Sequence, residues 1–306
     1  MDWAEELDKW AADYLPDLAM KTDEAMSRHT SFHIGGPARR MAFPRSGEQA
    51  VLLTNFAKSC GARPLVMGNG TNLLVPDEGL DRLVIDTTAG LNRLELGAGE
   101  NELMAESGAS LARLADLAQK QGLTGLEFAH GIPGTVGGAL CMNAGAYGGE
   151  MKQVVAGAAL LDPEEGVQYL TGEELDLGYR RSVLTDHPDW VVLYAVFRLT
   201  PGDPVQIRAR MDDLKARRKA SQPLELPSAG STFKRPVGAY AGTLIDQCGL
   251  KGLRVGGAQV SEKHAGFVVN RGNATFADVT ELIRQIQQRV EELSGIRLEP
   301  EVKIVR

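Results

Sequence analysis

Gly131-Ile-Pro-Gly-Thr-Val-Gly-Gly138 and, upstream of it, Gly68-Asn-Gly-Thr-Asn-Leu-Leu74 are the stretches on which the reading of this chain turns. The upstream stretch follows a short apolar run, Pro64–Gly68, that reads as a strand, so a strand ends in a turn of small polar residues. Successive backbone N–H groups in such a turn can form a concavity for a diphosphate, and the downstream stretch offers a second one. Neither standard nucleotide motif is present: Gly68-Asn-Gly70 lacks the third glycine of the dinucleotide fingerprint, and no GxxxxGK[ST] occurs. The same composition suits plain tight turns, and the loops alone leave both readings open.

Outward from these loops the chain alternates irregularly between helix and strand. An amphipathic helix opens it, with Trp3, Leu7, Trp10 and Tyr14 at helical spacing. Ser46 and Gln49 form a capping box for a helix over Ser46–Ser59 that Gly61 stops. Leu83–Asp86, Leu91–Leu96 and Glu102–Ser107 read as strands; Ser110 then caps a helix that buries Leu111, Leu114, Leu117 and Ala118 and ends at Gly122. Strands follow at Val154–Leu161, Val167–Leu170 and Val191–Leu199, with a capped turn at Thr171–Glu174. Beyond Pro201-Gly-Asp-Pro204, Val205–Lys219 is helical. A Thr275/Asp278 cap starts a last helix with the stripe Val279, Leu282, Ile283, Ile286, Val290 and Leu293, and Glu301–Val305 closes as a strand. The class is α+β. The prolines and glycine at 201–204 divide the chain into residues 1–203 (subdomains about 1–85 and 86–203) and a C-terminal domain of residues 204–306.

Composition narrows the partners. The 306 residues carry 35 glycines in clusters, 43% hydrophobic and 24% charged residues, and a net charge of −7 that argues against nucleic acid. Residues 206–264 hold eleven Lys or Arg and five Asp or Glu, a local +6 that leaves −13 elsewhere. Such an island suits a small polyanion, or else a solvated helix face around Arg208–Lys219. No apolar run is long enough to span a membrane, and the N-terminus lacks the order of a signal peptide. Cys60, Cys141 and Cys248 form no CxxC, which fits a reducing cytoplasm. His29 and His33 are four apart, but alternation of Phe32 and Ile34 predicts a strand there; with no HExxH or Cys/His cluster, no metal is expected.

Four segments, His29-Thr-Ser-Phe-His-Ile-Gly-Gly-Pro-Ala38, Gly68–Leu74, Gly131–Gly138 and Met142-Asn-Ala-Gly-Ala-Tyr-Gly-Gly149, resemble in order the FAD-binding segments of the UDP-N-acetylenolpyruvoylglucosamine reductase (MurB) family. The resemblance runs from about Thr30 to Val305. It implies a two-subdomain FAD-binding unit of the vanillyl-alcohol oxidase/p-cresol methylhydroxylase type, followed by a C-terminal α+β substrate-binding domain. It also implies dissociable FAD held by Thr30, Ser31, Ile34, Gly35, Gly68, Asn69, Gly70, Thr71, Asn72 and Leu73, and by Gly131, Ile132, Pro133, Gly134, Thr135, Gly137, Gly138, Asn143, Gly145 and Ala146. His130, ahead of the second loop, stands where some relatives in the wider flavin superfamily attach FAD covalently, which this family generally does not.

Three more segments match the family: Tyr179-Arg180-Arg-Ser182, Ala229-Gly-Ser231-Thr-Phe-Lys234 and Leu298-Glu-Pro-Glu301-Val302. By resemblance Arg180, Ser231 and Glu301 are catalytic. The family substrate is an enolpyruvyl ether of UDP-N-acetylglucosamine, and hydride addition leaves enediolate charge that needs a fixed cation and an acid. Arg180 and Glu301 suit those roles, Ser231 that of proton donor, and Lys234 could steady its alkoxide. Substrate contacts are expected from Tyr147, Arg217, Lys219, Gln222, Lys234, Lys263, His264 and Asn270, with Lys251 and Arg254 weaker candidates. Lys303 and Gly266 depart from residues common in the family, arginine and asparagine respectively, and the stretch between Ser182 and Ser231 lacks the longer tyrosine-bearing tract of one subgroup. With no separate nicotinamide fold, NADPH is expected to reduce FAD and leave before the nucleotide enters. The chain is expected to be a monomer or weak oligomer. Competing readings are an oxidase of the same superfamily and a non-catalytic UDP-sugar-binding regulator.

Overall fold

The long C-terminal helix begins where its capping residues place it. It runs Phe276–Ser294, with the Thr275 hydroxyl accepting from the Asp278 N–H and the Asp278 carboxylate accepting from the Thr275 N–H, both at 3.0 Å. Asp278 also accepts from the Gly257 N–H at 3.1 Å. Gly295 ends the helix with φ 71°. The stripe is buried at Val279, Leu282, Ile283, Ile286 and Val290, but Leu293 is exposed, so the core beneath the helix ends one turn before the helix does.

The computed structural model describes residues 2–305, which form two compact units interleaved along the chain. One takes the chain up to Asp23, Arg39–Asn69 and Arg82–Ala216; the other takes Glu24–Ala38, Gly70–Asp81 and the chain from Arg217 onward. This differs from a linear division at Pro201–Pro204. That segment leads straight into the helix Pro204–Ser221, whose buried Ile207 and Met211 join the larger core of the first unit.

The first unit holds a five-stranded antiparallel sheet in the order Gly166–Thr171, Val155–Asp162, Val191–Arg198, Glu102–Glu106 and Leu94–Leu96. The expected strand over Leu91–Leu96 starts only at Leu94, because the Leu91 N–H closes a turn onto the Thr87 carbonyl at 3.1 Å. Ser110 caps the helix Leu111–Lys120, which buries Leu111, Leu114, Ala115 and Ala118; Leu117 is only partly covered. A second sheet has the order Ala19–Ala25, Pro37–Phe43, Leu80–Asp86 and Leu65–Met67, the last two parallel with Leu65 opposite Val84 and Met67 opposite Asp86. The helices Trp3–Tyr14 and Gly47–Ser59 share a core with it, where Leu7, Leu53, Ala57, Leu83 and Ile85 are buried and Trp10 stacks on Phe56 at 4.3 Å. Ser46 caps the second helix as expected, but the Gln49 side chain accepts from the Arg45 N–H rather than from that of Ser46.

The second unit packs the helices Ala241–Gln247 and Phe276–Ser294 with a three-stranded antiparallel sheet, Arg254–Val255, Ala258–Val260 and Val268–Asn270. Lys303–Ile304 pairs in parallel with Leu73–Leu74. The strand expected over Glu301–Val305 is this short because Glu301 bonds elsewhere, its N–H donating to the Thr232 carbonyl at 2.8 Å. The strand expected around Phe32 and Ile34 is a turn. His33 has φ 55°, its N–H donates to the Thr30 carbonyl, and the Thr30 hydroxyl donates to the Ile34 carbonyl at 3.0 Å. Phe32 and Ile34 still reach the core while His33 is exposed. Among the described residues, no helix is long and apolar enough to cross a membrane.

Removing the cap hydroxyl with Thr275→Ala should lower stability by about 1 kcal/mol in urea denaturation at neutral pH. The Thr275 N–H holds the Asp278 carboxyl below its ordinary range. Its contribution is therefore complete above the ordinary carboxylate range and lost as pH falls through the lowered folded value. The stability gap between wild type and Asp278→Ala should close over that acid window.

Candidate active site

Gly68 ends the strand Leu65–Met67 at a point where no side chain fits. A Cβ there would lie 2.1 Å from the Thr135 hydroxyl oxygen and 2.8 Å from its methyl. Thr135 is buried and caps the helix Val136–Cys141, so the last glycines of Gly131–Gly138 form the first turn of a helix rather than a loop. Beside this contact the Asn69 side-chain amide donates to the Pro133 carbonyl at 3.0 Å. The helix start is tied down by Val136 N–H to Ala109 carbonyl at 2.9 Å and Gly137 N–H to Ser107 carbonyl at 2.8 Å. Gly137, expected at the cofactor, thus has its N–H committed to the protein. By contrast, the N–H groups of Asn69, Gly134 and Thr135 in the first unit, and of Gly70 and Thr71 in the second, have no acceptor among the described residues. Unsatisfied backbone donors in glycine loops are the groups that a diphosphate requires, and FAD carries one.

In the second unit the Thr30–Gly35 turn is held at several points. The Ser31 N–H donates to the Gly70 carbonyl at 3.2 Å, and its hydroxyl donates to the Ser228 carbonyl at 2.6 Å. Gly35, at φ 134°, leaves no room for a Cβ, which would meet the Cβ atoms of Met26 and Val75 at 2.9 Å. Ile34 is buried in the core, and Leu73 lies in the parallel pair with Lys303, the residue departing from the family's arginine. The Asn72 amide donates to the Glu301 carbonyl at 3.1 Å. Asn270, expected to touch substrate, is instead a buried brace. Its amide nitrogen donates to the Phe32 carbonyl at 3.1 Å, and its oxygen accepts from the Gly272 and Ala274 N–H groups.

Ser231 and Glu301 are carried by two segments that pair through their backbones. Phe233 bridges Pro300 in antiparallel fashion, the Lys234 N–H donates to the Glu299 carbonyl at 2.8 Å, and the Glu301 N–H donates to the Thr232 carbonyl. Glu301 therefore faces Thr232, one position from Ser231, and both are half-buried. Thr232 fixes this pairing: it is buried, with its N–H on the Gly266 carbonyl and its hydroxyl accepting from the Val268 N–H. Lys234 is ion-paired with Glu299.

Of the other expected substrate contacts, Arg217 and Lys219 are exposed near the end of their helix, and Gln222 is half-buried just after it. The Lys263 ammonium donates to the Lys219 carbonyl at 2.8 Å and lies 3.8 Å from Glu225, which gathers part of the basic island. His264 is half-buried, its Nδ1 accepting from the Gly266 N–H at 3.1 Å; burial lowers its pKa and favours the neutral ring. Lys251 is ion-paired with Asp246 at 2.7 Å and Arg254 is exposed.

Arg180 lies in the first unit, on a tight turn closed by Gly178 N–H to Arg181 carbonyl at 3.0 Å and Arg181 N–H to Gly178 carbonyl at 3.2 Å. Its φ is 54°, a left-handed conformation that disfavours side chains, and its guanidinium stacks 5.4 Å from the Tyr179 ring centre. Asn143, expected at the cofactor, is fully buried, and its side chain is spent inside the protein. Its amide donates to the Gly178 carbonyl at 3.0 Å and to Glu150 at 3.2 Å, and its oxygen accepts from the Lys152 N–H at 2.9 Å. Gly145 and Ala146 pair with Glu150 and Gly149, and Tyr147 at the tip between them is 42% exposed with φ 54°. Sequence reading assigned no role to Ser182, which is fully buried and donates to the Cys141 carbonyl at 3.1 Å; its cap-like spacing to Thr185 was the available signal.

Residues 38–170 match the FAD binding domain family. Together with the donor-rich glycine loops, this makes the chain an FAD-binding oxidoreductase. Residues 222–305 match the C-terminal domain of UDP-N-acetylenolpyruvoylglucosamine reductase. The chain is 48% identical over 283 residues to the UDP-N-acetylenolpyruvoylglucosamine reductase of Caldanaerobacter subterraneus subsp. tengcongensis, covering 92% of each. It is 48% identical over 290 residues to that of Limosilactobacillus reuteri subsp. reuteri, covering 95% of this chain and 96% of the other. The crystal structure of UDP-N-acetylenolpyruvylglucosamine reductase (MurB) from Thermus caldophilus matches with a TM-score of 0.81 at 34% identity, over 94% of this chain and 100% of that one. The chain belongs to the UDP-N-acetylenolpyruvoylglucosamine reductase family.

Gly68→Ala tests the loop junction directly. The added methyl must displace Thr135, and overpacking of this kind costs about 1–3 kcal/mol. The purified variant is expected to lose most of its bound flavin, read as visible absorbance against wild type.

Proposed function

We propose that the protein catalyses NADPH-driven reduction of UDP-N-acetylglucosamine enolpyruvate to UDP-N-acetylmuramate, a step of peptidoglycan synthesis. FAD, when bound and reduced by NADPH, would supply the hydride that adds to the terminal carbon of the enolpyruvyl group. The protein's own task is the charge that this addition creates. Electron density moves to the carbon beside the carboxylate and spreads into an enediolate, which a fixed cation and an acid stabilise. In this reading Arg180 supplies the cation and Glu301 the acid, while Ser231 gives its hydroxyl proton to the carbon. The residues from 217 onward bind the nucleotide, with Arg217, Lys219, Lys263 and their neighbours meeting the diphosphate and carboxylate.

The observation that carries this reading is the register of the Ser231–Lys234 and Glu299–Val302 segments. It sets a hydroxyl-bearing and a carboxyl-bearing residue one position apart on a ladder braced by buried Thr232. A carboxyl and a hydroxyl carried on paired segments suit a site where a proton must be delivered and then replaced. NADPH and the nucleotide use the same face in turn, NADPH reducing the flavin and leaving before the nucleotide enters.

The test is anaerobic spectroscopy of the purified protein. It should be yellow, bleach on addition of NADPH, and recover when the enolpyruvyl nucleotide is added. Recovery in air alone with no response to the nucleotide would instead identify an oxidase, and failure of NADPH to bleach it a non-catalytic binder. Ser231→Ala should bleach with NADPH at close to the wild-type rate yet recover about 100-fold more slowly or worse. Recovery at the wild-type rate would remove Ser231 from the role of proton donor.

A further inference from the structure

Two buried side chains bolt the Arg180 turn to the helix that carries the second glycine loop. On one flank the Asn143 amide donates to the Gly178 carbonyl at 3.0 Å; on the other the Ser182 hydroxyl donates to the Cys141 carbonyl at 3.1 Å. Asn143 is 2% and Ser182 0% exposed, so neither bond competes with solvent. Asn143 leaves the helix with its own N–H on the Leu140 carbonyl at 3.2 Å, and the next residue's N–H reaches the Ala139 carbonyl at 2.8 Å. Its remaining amide hydrogen is held by Glu150, whose carboxylate also caps the turn Met151–Gln153. The far end of the same helix is capped by Thr135, the residue packed against Gly68.

A continuous line of contacts therefore runs through the first unit from the Gly68–Thr135 junction, along Val136–Cys141, to both flanks of the turn that bears Arg180. We infer that Asn143 and Ser182 are positioning residues that set the guanidinium of Arg180 relative to the glycine loops. The inference rests on the reading of Arg180 as the cation at the enediolate. The physical need is plain. A guanidinium on a long side chain is placed no better than the turn that carries it, and a displacement near 1 Å can cost about 100-fold in rate. Ordinary turns are closed by their own backbone, as this one also is. The two additional bonds, made across 35 and 41 residues of sequence, fix where the turn sits rather than how it folds.

The experiment separates the two half-reactions in anaerobic stopped flow, using the FAD-loaded protein. Asn143→Gly removes the amide while suiting the φ of 40° at that position, and Ser182→Ala removes the hydroxyl from the opposite flank. Ser182→Ala is expected to keep its flavin spectrum and to be reduced by NADPH within about 2-fold of wild type, and Asn143→Gly, at a residue the resemblance places by the cofactor, to lose more in reoxidation than in reduction. Reoxidation by UDP-N-acetylglucosamine enolpyruvate should slow about 10- to 100-fold, and amide hydrogen exchange across residues 178–182 should rise. In an Arg180→Gly background, adding Ser182→Ala should cost nothing further, because the residue it positions is gone. Loss of flavin, equal slowing of both half-reactions, or additive effects in the double variant would overturn the inference and leave these bonds a purely structural role. Should Arg180→Gly alone reoxidise at the wild-type rate, the assignment of Arg180 itself fails. Should it slow while Asn143→Gly and Ser182→Ala do not, only the positioning inference fails.

Discussion

The contact between Thr135 and the bare Cα of Gly68 is the constraint on which the first unit's functional face depends. A strand end and a helix start meet there with a hydroxyl oxygen where a Cβ would be. Because Thr135 also caps its helix, one side chain sets both the approach of the two loops and the helix direction. The N–H groups of Val136 and Gly137 are absorbed by the carbonyls of Ala109 and Ser107. Those of Gly134 and Thr135 have no acceptor among the described residues, so the protein satisfies the inner turn of this junction and leaves its outer turn open. That partition, rather than glycine content as such, distinguishes a cofactor loop from a tight turn.

In the second unit one short segment serves two partners. Residues 299–302 pair with the Thr232 region, and Lys303 and Val305 then pair with Asn72 and Leu74. The chain thereby connects the ladder bearing Ser231 and Glu301 to the loop of Gly70–Asn72, and the Ser31 bonds to Gly70 and Ser228 connect the Thr30–Gly35 turn to both. Buried amides hold these irregular segments: Asn270 on the Phe32 carbonyl and Asn72 on the Glu301 carbonyl. Irregular backbone cannot satisfy itself as a helix does, and asparagine offers a donor and an acceptor on one short stem.

This explains what the sequence revealed and what it concealed. Local rules were readable: the Thr275/Asp278 capping box, the Ser110 cap and the apolar stripe from Val279 to Val290 stand where spacing places them. Leu293 shows the limit of periodicity, which reports a helical face but not how far the core beneath it extends. The alternation at Phe32 and Ile34 predicts a strand, yet a turn with His33 in the left-handed region buries the same pair. Asn143 and Asn270, expected at ligands by family resemblance, both use their side chains to brace the backbone beside them, a use that the motif alone does not reveal. Interleaving of the units was not legible either, since it depends on bonds such as Ser31 to Ser228, made across 197 residues.

Backbone conformation supplies an independent argument about which side chains the site needs. Nine non-glycine residues among those described have positive φ, and four of them, His33, Asn143, Tyr147 and Arg180, fall within the motif segments. Each such residue costs about 1 kcal/mol relative to glycine, in a chain that otherwise places glycine freely in its turns. Asn143 has a reason within the protein, its three side-chain bonds. Tyr147 and Arg180 differ, because both sit at turn tips that remain partly open to solvent, where glycine would relieve the backbone without opening a cavity in the core. Strained backbone of this kind clusters at binding and catalytic sites, where a functional role offsets it. For Arg180 the proposed role at the enediolate is such a function, and the two buried bonds flanking its turn fix where the turn sits.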